Sequence, residues 1–152
     1  IPIIAAGGVW DKNDIDKFIA MGCSGVQMAT RFIGTFECDA DAQFKNVLLN
    51  AKAEDIQLMK SPVGLPARGV MTNLQFSIEN KTAPKVQCIS NCVSPCNRGH
   101  EAKIVGYCIA DRLGAAYQGD TQTGLFFSGS NGYRIDKIIS VKELMEKLTV
   151  GE

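Results

Sequence analysis

The 152 residues carry sixteen basic and sixteen acidic side chains, hence no formal net charge, and 45% of them are apolar. Neutrality argues against nucleic acid or an anionic membrane as the principal partner, and the apolar stretches are far shorter than the ~20 residues of a membrane-spanning helix. Six cysteines in an otherwise ordinary core-forming composition suit a reducing cytoplasm better than a small disulfide scaffold.

The chain opens on Ile1-Pro2-Ile3-Ile4-Ala5-Ala6-Gly7-Gly8, a continuous apolar run closed by paired glycines. Such a run suits a strand buried on both faces. A helix is expected next, capped by Asp11, with Asp14 in its acidic first turn. Ile15, Phe18 and Ile19 share one face, and Gly22 stands where a left-handed C-terminal residue is wanted. Gly25-Val26-Gln27-Met28-Ala29 reads as a second strand and Thr30-Arg31-Phe32 as the turn after it. Strand, helix and strand in so short a span require a parallel crossover, so both turns emerge at one edge of the sheet. There the backbone N–H groups of Gly7, Gly8, Ala29 and Thr30 are placed to converge on an anion, the glycines allowing close approach. An ordinary tight turn is the alternative reading of Gly-Gly after a strand.

At these residues the chain resembles a known family. Ile3-Ile4-Ala5-Ala6-Gly7-Gly8-Val9 and Gly25-Val26-Gln27-Met28-Ala29-Thr30-Arg31-Phe32 are similar to the last two barrel strands of the nitronate monooxygenases, formerly called 2-nitropropane dioxygenases. The flavin-dependent enoyl-acyl-carrier-protein reductases share the pattern. The resemblance implies an α/β fold, the (β/α)8 TIM barrel, holding FMN with its phosphate between the two turns. Carried over by position, the implied cofactor-binding residues are Gly7, Gly8, Gln27, Met28, Ala29 and Thr30. The family usually has Gly where this chain has Ala29, which is tolerable if φ there is negative. The resemblance extends over residues 1–36, 62–74 and 107–148. Since a complete barrel typically takes roughly 250 residues, the chain is expected to be a C-terminal fragment. It would hold the last two strands and helices and a mainly helical C-terminal tail. The expected division is 1–54 for the last two β/α units with the phosphate site, 55–124 for an insert with a Cys-rich segment, and 125–152 for a loop and helix returning to the barrel.

Further along, residues 40–53 show helical periodicity, with Phe44, Val47, Leu48 and Ala51 on one face, and 55–60 alternate as a half-buried strand does. Prolines and glycines over 61–69 argue against regular structure there. Arg68, in a Gly-x-Pro-Ala-Arg-like element, is read either as an approach to a phosphate or acidic substrate, or as a salt bridge pinning the tail. A short helix is expected over 72–80 and a longer one over 104–118, stopped by Gly119. Phe126 and Phe127 are read as core rather than as a flavin platform, and Gly129, Ser130 and Asn131 either as a loop reaching flavin or substrate or, equally, as a bare hairpin-like turn. Ser140-Val141-Lys142-Glu143 is a capping box opening the last helix, with Val141, Leu144, Met145 and Leu148 on its apolar side.

Cys88, Cys92, Cys96 and Cys108 follow one another at spacings of four, four and twelve. Four thiols suit a tetrahedral Zn²⁺ or an iron–sulfur cluster; a disulfide and free thiols are the alternatives. His100, the only histidine, is a further candidate ligand. Cys23 and Cys38 read as small hydrophobes. No catalytic residue is assigned within the chain, because in the family the catalytic His lies upstream.

The resemblance implies FMN-dependent oxidation of alkyl nitronates, with O₂ as electron acceptor and a small molecule as substrate. One alternative is an NAD(P)H-dependent flavin enoyl-acyl-carrier-protein reductase. Another, of a different class, is a non-catalytic fragment or metal-stabilised module. Two parallel strands cannot close a barrel, so the fragment alone is expected to be inactive. It is expected to associate with a missing N-terminal half or with a second copy as a homo-oligomer.

Overall fold

The structure is a computed structural model that describes residues 1–63, 65–86 and 104–151. It is an α/β fold with two small sheets. In the first, β1 (Ile4–Ala6) and β2 (Gly25–Gln27) are parallel, pairing Ile4 with Gly25, Ala5 with Val26 and Ala6 with Gln27. They are joined through α1 (Lys12–Ala20), whose N-cap Asp11 accepts from the Asp14 N–H at 3.1 Å. Gly22 takes φ +97° just beyond the helix, the conformation that a side chain would penalise. The anticipated turn after β2 is instead a single-turn helix, α2 (Thr30–Ile33).

The expectation that the first strand is buried on both faces does not hold. Ile3 is 62% and Ile4 56% exposed. A run of isoleucines is the signature of a central strand, but among the described residues β1 has one strand neighbour.

α3 (Ala42–Asn50) is shorter at both ends than the 40–53 pattern, because Asp41 caps it through the Gln43 N–H at 2.8 Å and Ala51 is already extended. A 3-10 turn (Ala53–Asp55) then leads into β3 (Ile56–Met59). β4 (Ala67–Val70) corrects the reading of 61–69 as wholly irregular, since its first three residues lie in that span. It runs antiparallel to β3 and also pairs with β5 (Phe126–Phe127), opposing Gly69 to Phe127 and Val70 to Phe126. Gly69 is required there: a Cβ would run into the Phe126 carbonyl oxygen. α4 (Asn73–Glu79) is closed by a capping box between Thr72 and Gln75, and α5 (Ile109–Tyr117) ends on Gly119 at φ +86°.

The main core gathers Leu48, Ile56, Val70, Ala116 and Phe126 under Trp10, with Phe44 meeting the Phe126 ring edge-on at 4.9 Å. Phe126 is fully buried, as its assignment to the core requires. The last helix, α6 (Val141–Thr149), opens where the Ser140 hydroxyl accepts from the Glu143 N–H at 3.0 Å. It buries Leu144 and Leu148 with Ile139 against Ile15, Met28 and Phe32, whereas Met145 faces solvent. The C-terminal segment is tied to the turn after α2 by a parallel bridge from Thr35 to Ile139, and the Glu37 carboxylate receives the Val141 N–H. Thus residues far apart in sequence brace the ends of β1 and β2. Among the described residues no helix is long and apolar enough to cross a membrane.

Candidate phosphate-binding site

Parallel pairing of β1 and β2 brings the turn after each to one edge of the sheet. A cavity of about 300 Å³ opens there, and Gly7, Gly8, Gln27, Met28, Ala29 and Thr30 all line it. Every cofactor-binding residue expected from the sequence is therefore in one place. Gly7 (φ +86°) and Gly8 (φ +74°) are both left-handed, and a Cβ built on either would point into open space. The two residues form a side-chain-free stretch of backbone that any L-residue would strain and obstruct. Ala29 has φ −129°, so the methyl group that replaces the family's glycine is accommodated without strain.

Among the described residues, the N–H groups of Gly8, Ala29 and Thr30 make no hydrogen bond outside the helices and strands, whereas Gly7 follows directly on the β1–β2 ladder, whose last pair is Ala6 with Gln27. α2 begins at Thr30 with no side-chain cap, and Ala29, Thr30 and Arg31 line the same cavity. Arg31 adds a guanidinium to the lining, which among the described residues includes no carboxylate. Converging amides, a helix start and one fixed cation make an electropositive cradle suited to a compact dianion.

A third wall comes from the C-terminal loop. Gly129 donates its N–H to Thr30 Oγ1 at 2.8 Å, and Asn131 donates its side-chain amide to the Gly8 carbonyl at 3.1 Å. One loop thereby grips both tips, and Gly129, Ser130 and Asn131 line the cavity. Gly132 is tightly fitted: a Cβ would strike Ser128 Oγ.

Trp10, Arg31 and Arg134 were not singled out from the sequence as site residues. Trp10 is 6% exposed, and the Arg31 and Arg134 guanidinium carbons lie 4.7 and 5.1 Å from its ring centroid. Arg31 also donates to the Trp10 carbonyl at 2.8 Å, while the Trp10 N–H goes to Asp14. The cation–π contacts and the hydrogen bond lock the turn after β1 to the helix after β2. A lone Trp directly after Gly-Gly-Val, with an Arg directly after Ala-Thr, was the available signal; neither reveals its partner without the parallel register.

On the other side of Thr30 and Gly129 lies a mainly apolar hollow of about 390 Å³, walled by Leu65, Pro66, Ile109 and Phe127, with Arg68 at it. Phe127 is thus half-buried at a cavity while its neighbour Phe126 belongs to the core. Arg68 secures the tail through its backbone, the Ser128 N–H donating to its carbonyl at 3.2 Å.

Of the four proposed metal ligands, Cys88, Cys92 and Cys96 lie outside the described residues, as does His100. Cys108 is buried beside Tyr107 at the start of α5, and no cluster of three potential ligands occurs among the described residues. Tyr107 donates its hydroxyl to the Lys60 carbonyl at 2.7 Å, and burial pushes its pKa up to about 12.

Fold and cavity together define an α/β protein with a glycine-lined cavity at the C-terminal ends of two adjacent parallel strands. The chain belongs to the nitronate monooxygenase family, whose profile matches residues 1–151. A probable nitronate monooxygenase of Staphylococcus aureus (strain Newman) is 36% identical over 70 residues, 46% of this chain and 20% of that protein. Among solved structures, FabK from Thermotoga maritima superposes with a TM-score of 0.72 at 26% identity, covering 99% of this chain and 44% of that one. A nitroalkane oxidase from Streptomyces ansochromogenes gives 0.68 at 25% identity, covering 99% and 39% respectively. The chain therefore spans less than half the length of each of these proteins.

Proposed function

We propose that this chain supplies the FMN phosphate site of an enzyme that oxidises alkyl nitronates. The observation that carries the reading is the cradle, where two loop tips, Gly7–Gly8 and Ala29–Thr30, border one cavity and the glycines keep its wall free of side chains. In this reading the amides of Gly7, Gly8, Ala29 and Thr30 hold the phosphate. Gln27 and Met28 support the tip from β2, Asn131 and Gly129 fix the loops, and Arg31 contributes charge. FMN supplies the redox chemistry when bound, and the protein's part is positioning and electrostatics.

Residues 1–54 then form the last two β/α units of a (β/α)8 barrel, 55–124 an insert and 125–152 the returning loop and helix. The remaining strands come from an N-terminal half or a second copy in a homo-oligomer, and the catalytic His from outside this chain. The substrate is a small nitronate, O₂ accepts the electrons, and the compartment is the cytoplasm. Without the other strands the chain is inactive. A second reading, reduction of an enoyl thioester by a nicotinamide nucleotide through the same flavin, draws on the likeness to FabK.

The cradle is tested by titrating FMN and riboflavin against the protein and following the quenching of flavin fluorescence. FMN is expected to bind more than about tenfold tighter than riboflavin, as charge-assisted hydrogen bonds to the phosphate require. Gly8→Val should erase the difference. Equal affinity for the two flavins would overturn the phosphate assignment. Oxygen uptake with propionate 3-nitronate, set against NADH consumption with a crotonyl thioester, separates the two reactions when the rest of the barrel is present. If only the thioester is turned over, the nitronate reading fails.

A further inference from the structure

Across Thr30 and Gly129 from the cradle, the hollow of about 390 Å³ takes its apolar walls from separate elements. Ile33 comes from the end of α2, Leu65 and Pro66 from the loop before β4, Ile109 from the start of α5 and Phe127 from β5. Its size falls within the roughly 300–1,000 Å³ of small-molecule sites. Arg68 supplies the only charge in the lining among the described residues. Its guanidinium has no ion-pair partner among those residues. We propose that this hollow binds an amphipathic carboxylate, an alkyl chain of medium length whose acid group is held by Arg68.

Three features select that ligand. First, apolar walls with a single cation complement a molecule divided in the same way, an apolar body with one negative end. A neutral chain leaves Arg68 unused, and a polyanion finds no second cation in the lining. Second, the site is built before any ligand arrives. Ile109 and Phe127 rest on Leu74, Tyr107 and Leu125, and the Tyr107 hydroxyl is fixed to the Lys60 carbonyl at 2.7 Å. Arg68 stands on β4, the central strand of its sheet, paired to β3 on one side and β5 on the other. A guanidinium that gives up no protein carboxylate to reach a ligand's keeps the full gain of a charge-assisted, bidentate contact. Third, Leu65 is 72% exposed, so an alkyl chain laid against it takes apolar surface out of water. Because Ala29, Thr30 and Gly129 border both cavities, the occupant lies directly beside the cradle.

The experiment is a calorimetric titration of the chain with sodium octanoate, and separately with sodium hexanoate and 1-octanol, at constant ionic strength. Octanoate is expected to saturate below about 1 mM. It should bind about tenfold tighter than hexanoate, because two more methylenes leave water, and about tenfold tighter than 1-octanol, which offers Arg68 no charge. Arg68→Gln should reduce octanoate to the affinity of 1-octanol. That side chain is exposed and unpaired among the described residues, so the variant is expected to fold, which circular dichroism checks. Replacing Ile3 and Ile4 by Glu removes apolar surface outside the hollow and should leave octanoate binding unchanged. The proposal is overturned if octanoate shows no saturation, if chain length or the acid group makes no difference, or if folded Arg68→Gln binds as the parent does. It is also overturned if the isoleucine variant abolishes binding, because the chains would then coat the exposed β1–β2 ladder. No arm uses a flavin, so failure of FMN to bind leaves these outcomes unaffected.

Discussion

Gly8 serves the fold and the site by the same property, the lack of a side chain. At φ +74° a Cβ is strained whatever the space around it, and here that space is the cavity. Gly8→Ala is expected to lower stability by about 1 kcal/mol, the cost of a left-handed L-residue, measured by urea denaturation. Phe126 presents the opposite case. It is fully buried against Phe44, and truncation to Ala should cost roughly 3–5 kcal/mol through lost burial and the cavity left behind. An unchanged urea midpoint for Phe126→Ala would remove it from the core. Both residues were legible in sequence, Gly8 from its place after an apolar strand and Phe126 from the aromatic pair. The Trp10 clamp was not, because its two arginines lie 21 and 124 positions further along the chain and no local pattern joins them.

At the scale of elements, whatever depended on neighbouring residues could be read, and whatever depended on distant partners could not. Asp11, Ser140 and Gly22 marked helix ends correctly because caps are local. β4 was missed because the prolines and glycines of 61–69 mask it, although its ladder with β3 is local and its pairing with β5 alone joins residues more than fifty positions apart. The Asp120 turn after α5 was likewise passed over, although it holds that helix to β5. Asp120 accepts from the Thr123 hydroxyl and from the N–H groups of Gln122 and Thr123, while Leu125 N–H reaches the Arg112 carbonyl. The Thr123 hydroxyl first of all, and then the backbone amides and Arg112, hold the Asp120 carboxyl below its ordinary pKa of 3.8, against the opposing effect of burial. A folded-state pKa below the unfolded one stabilises fully above the unfolded value, and this stabilisation is lost as pH falls through the folded value. Asp120→Asn should therefore lower Tm near neutral pH, where the parent carboxylate is ionised, and the gap should narrow below about pH 4. A difference that stays constant from pH 7 to pH 3 would show that ionisation of Asp120 does not matter to the turn.

For the molecule as a whole, the decisive feature is the imbalance between its two sheets. β3, β4 and β5 lie over a core closed by Leu48, Val70, Ala116 and Phe126, whereas β1 and β2 form a two-stranded parallel ladder with Ile1, Ile3 and Ile4 exposed. A two-stranded sheet is marginal by itself, and its unpaired edge with adjacent isoleucines is a template for further strands. The same ladder carries the cavity proposed to hold the phosphate, so the candidate site lies on the part of the chain whose apolar surface is least covered. Purified alone, the chain is expected to run above its 16.4 kDa in size-exclusion chromatography with light scattering, and to bind a dye that reports apolar surface. Replacing Ile3 and Ile4 together by Glu should shift it toward the monomer and abolish the dye signal. It should leave the free energy of unfolding in urea within about 1 kcal/mol, since neither side chain is buried in the described structure. A parent chain already monomeric and silent to the dye would mean that the isoleucines are covered within the single chain. The two-stranded ladder would then have to be packed otherwise than it is here.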